Sequence, residues 1–375
     1  MGLPALPWRS DDGLRQRHLL ALGADVEPAE VETLAASRFA AARWEADGDD
    51  TAGRSRPLTS AFGLRAAGRA PAAPVLRLSR HTTLTGPYAV GPQDCVALGL
   101  PAGTTQVYDV ACPRERGERP YPGGDRFGLK RAFPDGLPVR EEERVLLWLV
   151  ACARRLGGCV RVGGTTVVLE PDMDSAIDLT VFAAAFIEPD EAARLVQRVL
   201  PRARLSVPAA GWAGPVPLGR EPGSPPPDPR DGRTRELRAA LATGGVLDAD
   251  ERRRLLAEAD AFDEHMLAEP PAPQSYGVLA DLDVDGFVAL EVAEEQELPP
   301  ILRGLDWTAG GAVAYRVRWE PPRIEDLELE RPPLEHRVAR TRVAPVVQAL
   351  ARAVHAVVGG EIADESDFLL DPADV

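Results

Sequence analysis

The side chains of this chain that could do chemistry are five histidines, four cysteines and two clusters of aspartate. The histidines are His18, His81, His265, His336 and His355, and the cysteines are Cys95, Cys112, Cys152 and Cys159. A zinc site needs several such ligands at short, fixed spacing, because one metal must be reached by all of them at about 2 Å. No HExxH, CxxC or paired Cys/His spacing occurs, and neither a GxSxG elbow nor a GxGxxG turn follows a strand-like run. Lys130 is the single lysine, so a Walker loop is excluded and Schiff-base chemistry would rest on that one amine.

The stretch DLDVDG at 281–286 opens like a calcium loop. An EF-hand then needs a bidentate glutamate six residues after its glycine; Val292 stands there, with Glu291 beside it. The flanks read as strands, which predicts a hairpin tip. Asp172, Asp174 and Asp178 form the second cluster. Paired carboxylates can do acid–base or metal work, and aspartate is also what turns favour. Whether the turns at 172–178 and 281–285 bind a metal is a question for the structure. Arg154, Arg155 and Arg161 could meet an anion, although the first two sit where a helix end favours cations. This reading assigns no catalytic residue, no cofactor-binding residue, no metal ligand and no cofactor.

The bulk composition narrows the classes further. Hydrophobic residues make up 45% and charged residues 27% of 375, which suits a folded chain. The formal net charge of -15 repels a polyphosphate, and the densest basic run, Arg252 to Arg254, lies between Glu251 and Glu258. No nucleic-acid partner is expected. The longest apolar runs, VLLWLVACA and LTVFAAAFI, are about half of the roughly 20 residues that a membrane span needs. MGLPALPWRSDDGLRQRH lacks a basic head followed by an apolar run, so no signal peptide is read there. A cytoplasmic protein without membrane attachment is expected.

The elements that would position these side chains fall into six segments. Residues 1–52 read as an N-terminal helical segment, with DDGLRQRHLLALG and VEPAEVETLAASRFAAARWEADG as its helices. Residues 53–73 read as a linker, 74–207 as a first α+β unit, 208–235 as a Pro/Gly-rich linker, 236–270 as a helical connector and 271–375 as a second α+β unit. Within the first unit, EEERVLLWLVACARRLGG carries acids in its first turn, arginines in its last and a glycine stop, as a helix should. It has no polar side chain from Val145 to Ala153, so it should be buried nearly all round. TTVVLE and IDLTVF read as a hairpin.

The two units share an order of features. Each has a strand, a short helix and a strand ending in proline, YDVACP in one and YRVRWEP in the other. A polar loop, a long apolar helix closed by Gly-Gly and a last strand with acid-Pro follow in both. This predicts an α+β fold of two tandem ferredoxin-like (split β-α-β) units forming a pseudo-twofold body, with FGLKRAF and IEDLELE as the strands needed to complete them. The long helix of the second unit keeps a polar stripe of Gln348, Arg352 and His355. The functional expectation is a non-catalytic acidic protein acting through a protein partner, an immunity or antitoxin role being one form. The alternative is a small-molecule sensor or enzyme with its pocket between the two units.

Overall fold

In the computed structural model the described residues are 3–7, 12–45, 73–206, 275–309 and 311–375. The expected linkers, the 236–270 connector, His265 and Arg252 to Arg254 lie wholly or almost wholly outside them. The architecture is α+β, with two seven-stranded antiparallel sheets and, among the described residues, six α-helices.

The first sheet uses β1 (His18–Leu22), β2 (Arg43–Trp44), β3 (Val75–Arg77), β4 (Thr83–Ala89), β5 (Gln106–Ala111), β6 (Cys159–Arg161) and β7 (Val168–Leu169). Its spatial order is β2-β3-β4-β5-β1-β6-β7. Helices α1 (Pro28–Arg38) and α4 (Arg140–Arg155) cover one face, while α2 (Pro92–Leu98) packs with Leu6 and Leu14 on the other. A further short helix, α3 (Leu129–Ala132), lies in the long loop after β5.

The second sheet uses β8 (Leu179–Ala183), β9 (Arg204–Ser206), β10 (Ser275–Asp281), β11 (Phe287–Glu295), β12 (Ala312–Glu320), β13 (Glu361–Asp364) and β14 (Leu369–Leu370). Its order, from the other edge, is β9-β10-β11-β12-β8-β13-β14. Strand for strand this repeats the first. Helices α5 (Pro189–Val199) and α6 (Leu334–Val358) cover one face, and the turns around Leu298 and Leu302 cover the other.

The registers correspond as well. Tyr108 of YDVACP lies opposite Leu20 of β1, and Tyr315 of YRVRWEP lies opposite Val181 of β8. Both tyrosines are fully buried. At the ends of α4 and α6, Gly157 and Gly359 take left-handed φ values of 63° and 66°, which only glycine adopts without strain. The second glycine of each pair does a different job. A Cβ on Gly158 would lie 2.4 Å from the carbonyl oxygen of Ala21, and one on Gly360 would lie 2.0 Å from that of Phe182. Ala21 and Phe182 are the residues just after Leu20 and Val181, in the strand beside which the chain must next pair. The helix can turn into the sheet only where no side chain intervenes.

Several expectations need correction. HLLAL is not helical but is β1, an interior strand of the first sheet, after a short 3-10 turn at Asp12–Gln16. All five residues are buried, and a strand buried on both faces reads as a continuous apolar run that periodicity cannot separate from a helix. TTVVLE and IDLTVF do not form a hairpin: β7 pairs with β6, whereas β8 pairs with β12 and β13 in the other sheet. FGLKRAF holds the short helix α3, and the IEDLELE segment a 3-10 turn at Ile324–Glu328, instead of strands. The helical reading of α4 agrees with its burial: Val145, Leu146, Leu149 and Cys152 are inaccessible, and Trp148 is 2% exposed. Helix α1 covers it, with Phe39 edge-on to Trp148 at 5.4 Å and the indole N–H donating to the Leu34 carbonyl at 2.9 Å. Gln348 and Arg352 are exposed, and His355 is half-buried.

Gly158→Ala and Gly360→Ala should each destabilise the fold by at least about 2 kcal/mol, since backbone must move to admit the methyl group. Gly103→Ala, where nothing lies within 4 Å of the added carbon, should change stability by less than about 1 kcal/mol. Urea unfolding of the three variants checks this.

Candidate functional site

Among the buried polar side chains of the described residues, two groups stand out, and only one is open to a ligand. The first lies under α4. Glu142 is inaccessible and His18 is 1% exposed. Gly163 donates its backbone N–H to His18 Nδ1 at 3.1 Å, so the ring proton sits on Nε2 and points at Glu142 Oε1, 3.2 Å away. The other carboxylate oxygen accepts the Glu115 backbone N–H at 2.9 Å and the Arg116 guanidinium. Burial, then the charges of Arg114 and Arg116, push the His18 pKa down to about 4. The histidine is therefore neutral and its tautomer fixed. This group ties the head of β1 to α4 and is closed to substrate. Glu142 shares the stripe of Val145, Leu146 and Leu149, so an acid on an apolar helix face was the available sequence signal.

The second place is the seam between the two sheets and their helices. The tight loop between β13 and β14 crosses it. Phe368, fully buried, belongs to the hydrophobic core of the first sheet. Beside it Glu365 accepts both bonds from Arg126 Nη2, at 2.8 and 2.7 Å, and also binds Arg154, whose other nitrogen donates to Ser366 Oγ at 2.9 Å. Asp367 pairs with Arg38, Asp172 with Arg340 at 2.6 Å, and Glu330 with Arg131 at 2.6 Å. Bidentate arginine pairs that are partly buried hold geometry better than exposed ones.

A cavity of about 330 Å³ on this seam lies among Arg126, Glu365 and Asp367, and two others border α6. One is small, about 30 Å³, and is lined by Arg126, Arg154, Asp172, His336 and Arg340 among others. His336 Nδ1 and Arg340 Nε, one turn apart on α6, are buried there without a hydrogen-bond partner. The other holds about 420 Å³ and lies between the C-terminal end of α4, the 173–179 segment, the middle of α6 and the chain end. A further hollow, about 480 Å³, lies among Val284, Pro321, Pro322, Leu334 and Val338, and His336 borders both it and the small cavity.

The acids at the seam are not equivalent. Burial raises the Asp178 pKa to about 6 against the hydrogen bond from the Trp319 backbone N–H at 2.9 Å, and burial also raises Asp364 and Asp367. Asp172 is lowered: the Arg340 guanidinium and the Asp174 backbone N–H outweigh its burial.

The sequence-singled residues separate. Asp172 and Asp178 point to different partners, Arg340 and Trp319, and Asp174 is exposed. The 281–286 stretch is the tip between β10 and β11, with a 3-10 turn at Asp283–Asp285. No group of three or more His, Cys, Asp or Glu able to hold a metal occurs among the described residues. Arg154 and Arg155 both line the 420 Å³ cavity. Arg161 is elsewhere, donating to the carbonyls of Leu98, Arg15 and Thr165. His81 is exposed, and His355 Nε2 lies 3.2 Å from the Gly360 carbonyl. The four cysteines are unbridged. No helix among the described residues is long and apolar enough to cross a membrane. Comparison with protein-family models, with curated proteins and with solved structures gave no match.

The pH dependence of stability should expose two opposed groups. His18, lowered from 6.5 to about 4, withdraws stability as pH falls through that window. Asp178, raised from 3.8 to about 6, adds stability over nearly the same fall, about 3 kcal/mol at ~1.4 kcal/mol per unit. Asp178→Asn keeps an oxygen for the Trp319 N–H. It should match the wild type near pH 4 and gain on it steadily up to pH 6, as read by urea midpoints. A constant difference between the two curves would contradict the assignment.

Proposed function

We propose that this chain is a non-catalytic protein-binding module built on a duplicated split β-α-β unit. The duplication is supported by the repeated strand order, by the matched positions of Tyr108 and Tyr315, and by the matched contacts of Gly158 and Gly360. Within each half, the strands β6-β1-β5-β4 and β13-β8-β12-β11 have the 4-1-3-2 arrangement of a ferredoxin-like sheet, extended at both edges. On this reading the first unit begins at β1 and the second at β8, so residues 179–206 go with the second unit and not the first.

The observation that carries the binding reading is the apolar hollow beside α6. Val284 is 78% exposed, Leu334 66% and Val338 40%, and all three border the same groove. Ile324, 61% exposed, stands on the adjoining 3-10 turn. Scattered apolar residues are ordinary on a surface, but three lining one concavity with a fourth beside it suit a docking site. The net charge of -15 would draw a basic partner toward it. The partner class that fits is a basic protein presenting an apolar ridge. Inhibition of a basic toxin, as an immunity protein or antitoxin does, is one form of this role. Four unbridged thiols suit a reducing, cytoplasmic setting.

A second reading, a small-molecule sensor or enzyme with its pocket between the two units, is favoured by the 420 Å³ cavity at the seam.

A photo-crosslinking residue at Val338 should capture one discrete basic protein in the native host, and Leu334→Glu should abolish the capture without loss of stability. The same probe at Val96, which is 84% exposed but on α2, should capture nothing in common. Equal capture from both positions would refute the groove as the docking site.

A further inference from the structure

The second half leaves open a space that the first half fills. His18 stands two residues before Leu20, and Leu179 two before Val181; Leu20 and Val181 face the matched tyrosines. Glu142 stands as far before Gly157 as Ala344 stands before Gly359. In the first half these positions meet as the buried His18–Glu142 pair. In the second they are Leu179 and Ala344, and both line the 420 Å³ cavity.

The lining of that cavity is chemically mixed. Ile177, Leu179, Pro345 and Leu370 supply an apolar wall. Arg154 and Arg340 border it, but Glu365 and Asp172 already hold them. Arg155 is exposed, lines the cavity and makes no hydrogen bond or ion pair with the described residues. Asp174 and Asp374 line it in the same condition, their carboxylates engaged by no ion pair. Pro345 adds a fourth polar feature. It lies inside α6 and has no N–H, so the carbonyl of Thr341, itself a lining residue, loses its intrahelical donor. A proline in mid-helix is costly, and this one lines the cavity. A free cation, free anions, a bare carbonyl and an apolar wall in one hollow match a ligand that carries both charges close together on an apolar body.

We propose that this cavity binds a small zwitterion of the apolar α-amino acid class, with its carboxylate toward Arg155, its ammonium toward the Thr341 carbonyl and Asp374, and its side chain against Leu179 and Leu370. The proposal rests on the seam-pocket reading and specifies its ligand. It is independent of the groove beside α6.

The test is isothermal titration of the full chain with L-leucine and L-phenylalanine, alongside leucinamide, which lacks the carboxylate, and 4-methylpentanoate, which lacks the ammonium. The expected result is saturable binding of at least one amino acid, weakened at least tenfold by removal of either charge. Arg155→Glu, an exposed change, should weaken it at least tenfold, and Ala344→Trp, which fills the cavity, should abolish it. Binding that survives both variants would overturn the assignment. So would the absence of binding by either amino acid. In that case a fragment screen separates the two ideas. A fragment hit blocked by Ala344→Trp retains the seam pocket and discards the zwitterion; no hit discards both.

Discussion

A helix that ends against an interior strand of its own sheet must bring backbone to backbone, and this constraint organises both halves of the chain. The carbonyls of Ala21 and Phe182 lie where any Cβ on Gly158 or Gly360 would stand. With those glycines in place, α4 and α6 run down one face of their sheets, and the chain pairs β6 beside β1 and β13 beside β8 without a detour. A bulkier residue would push the helix off the sheet and open the core that Trp148 and Tyr315 fill. The Gly-Gly pairs are therefore not flexible punctuation. Each combines a left-handed stop with a close contact, and each closes a seven-stranded sheet.

The halves differ in how they use the space beneath that helix. In the first, the His18–Glu142 pair and Arg116 occupy it as a fully satisfied polar group. Burying such a pair gains little net stability, but leaving either member alone would be costly, so it pins α4 to β1 in one arrangement. In the second, Leu179 and Ala344 leave a cavity. The seam next to it is held by both kinds of force. Phe368 reaches into the first core, and Glu365 gathers two arginines from the other side. Two anchors of different physics on one short loop keep the halves from acting as separate bodies.

Much of this was legible in the sequence. The YDVACP and YRVRWEP matches, the Gly-Gly ends and the buried α4 follow from local rules: a glycine stop, acids before a helix and arginines after it, and apolar residues all round. What escaped depended on long-range pairing. HLLAL could not be told from a helix because β1 is buried on both faces, and its partners lie at Gln106 to Val110 and Cys159 to Arg161. The polar loops read as places for further strands, but they hold α3 and a 3-10 turn, while β1 and β8 are strands whose partners lie far along the chain. IDLTVF was assigned to its sequence neighbour, although its partners Tyr315 and Ile362 are far along the chain. For the site, Arg154 and Arg155 were picked out by type, whereas Glu365 carried no local signal, because its importance comes from two arginines that only the fold brings to it.

The central proposal is that one architecture occurs twice and begins at β1 and at β8. An experimental structure superposed half on half, residues 18–169 on 179–370, tests it most directly. The account predicts that seven strands overlay in order, with Tyr108 on Tyr315 and the Gly158–Ala21 contact on Gly360–Phe182. Halves that overlay only with a shifted register, or only when 179–206 is moved to the first half, would contradict it.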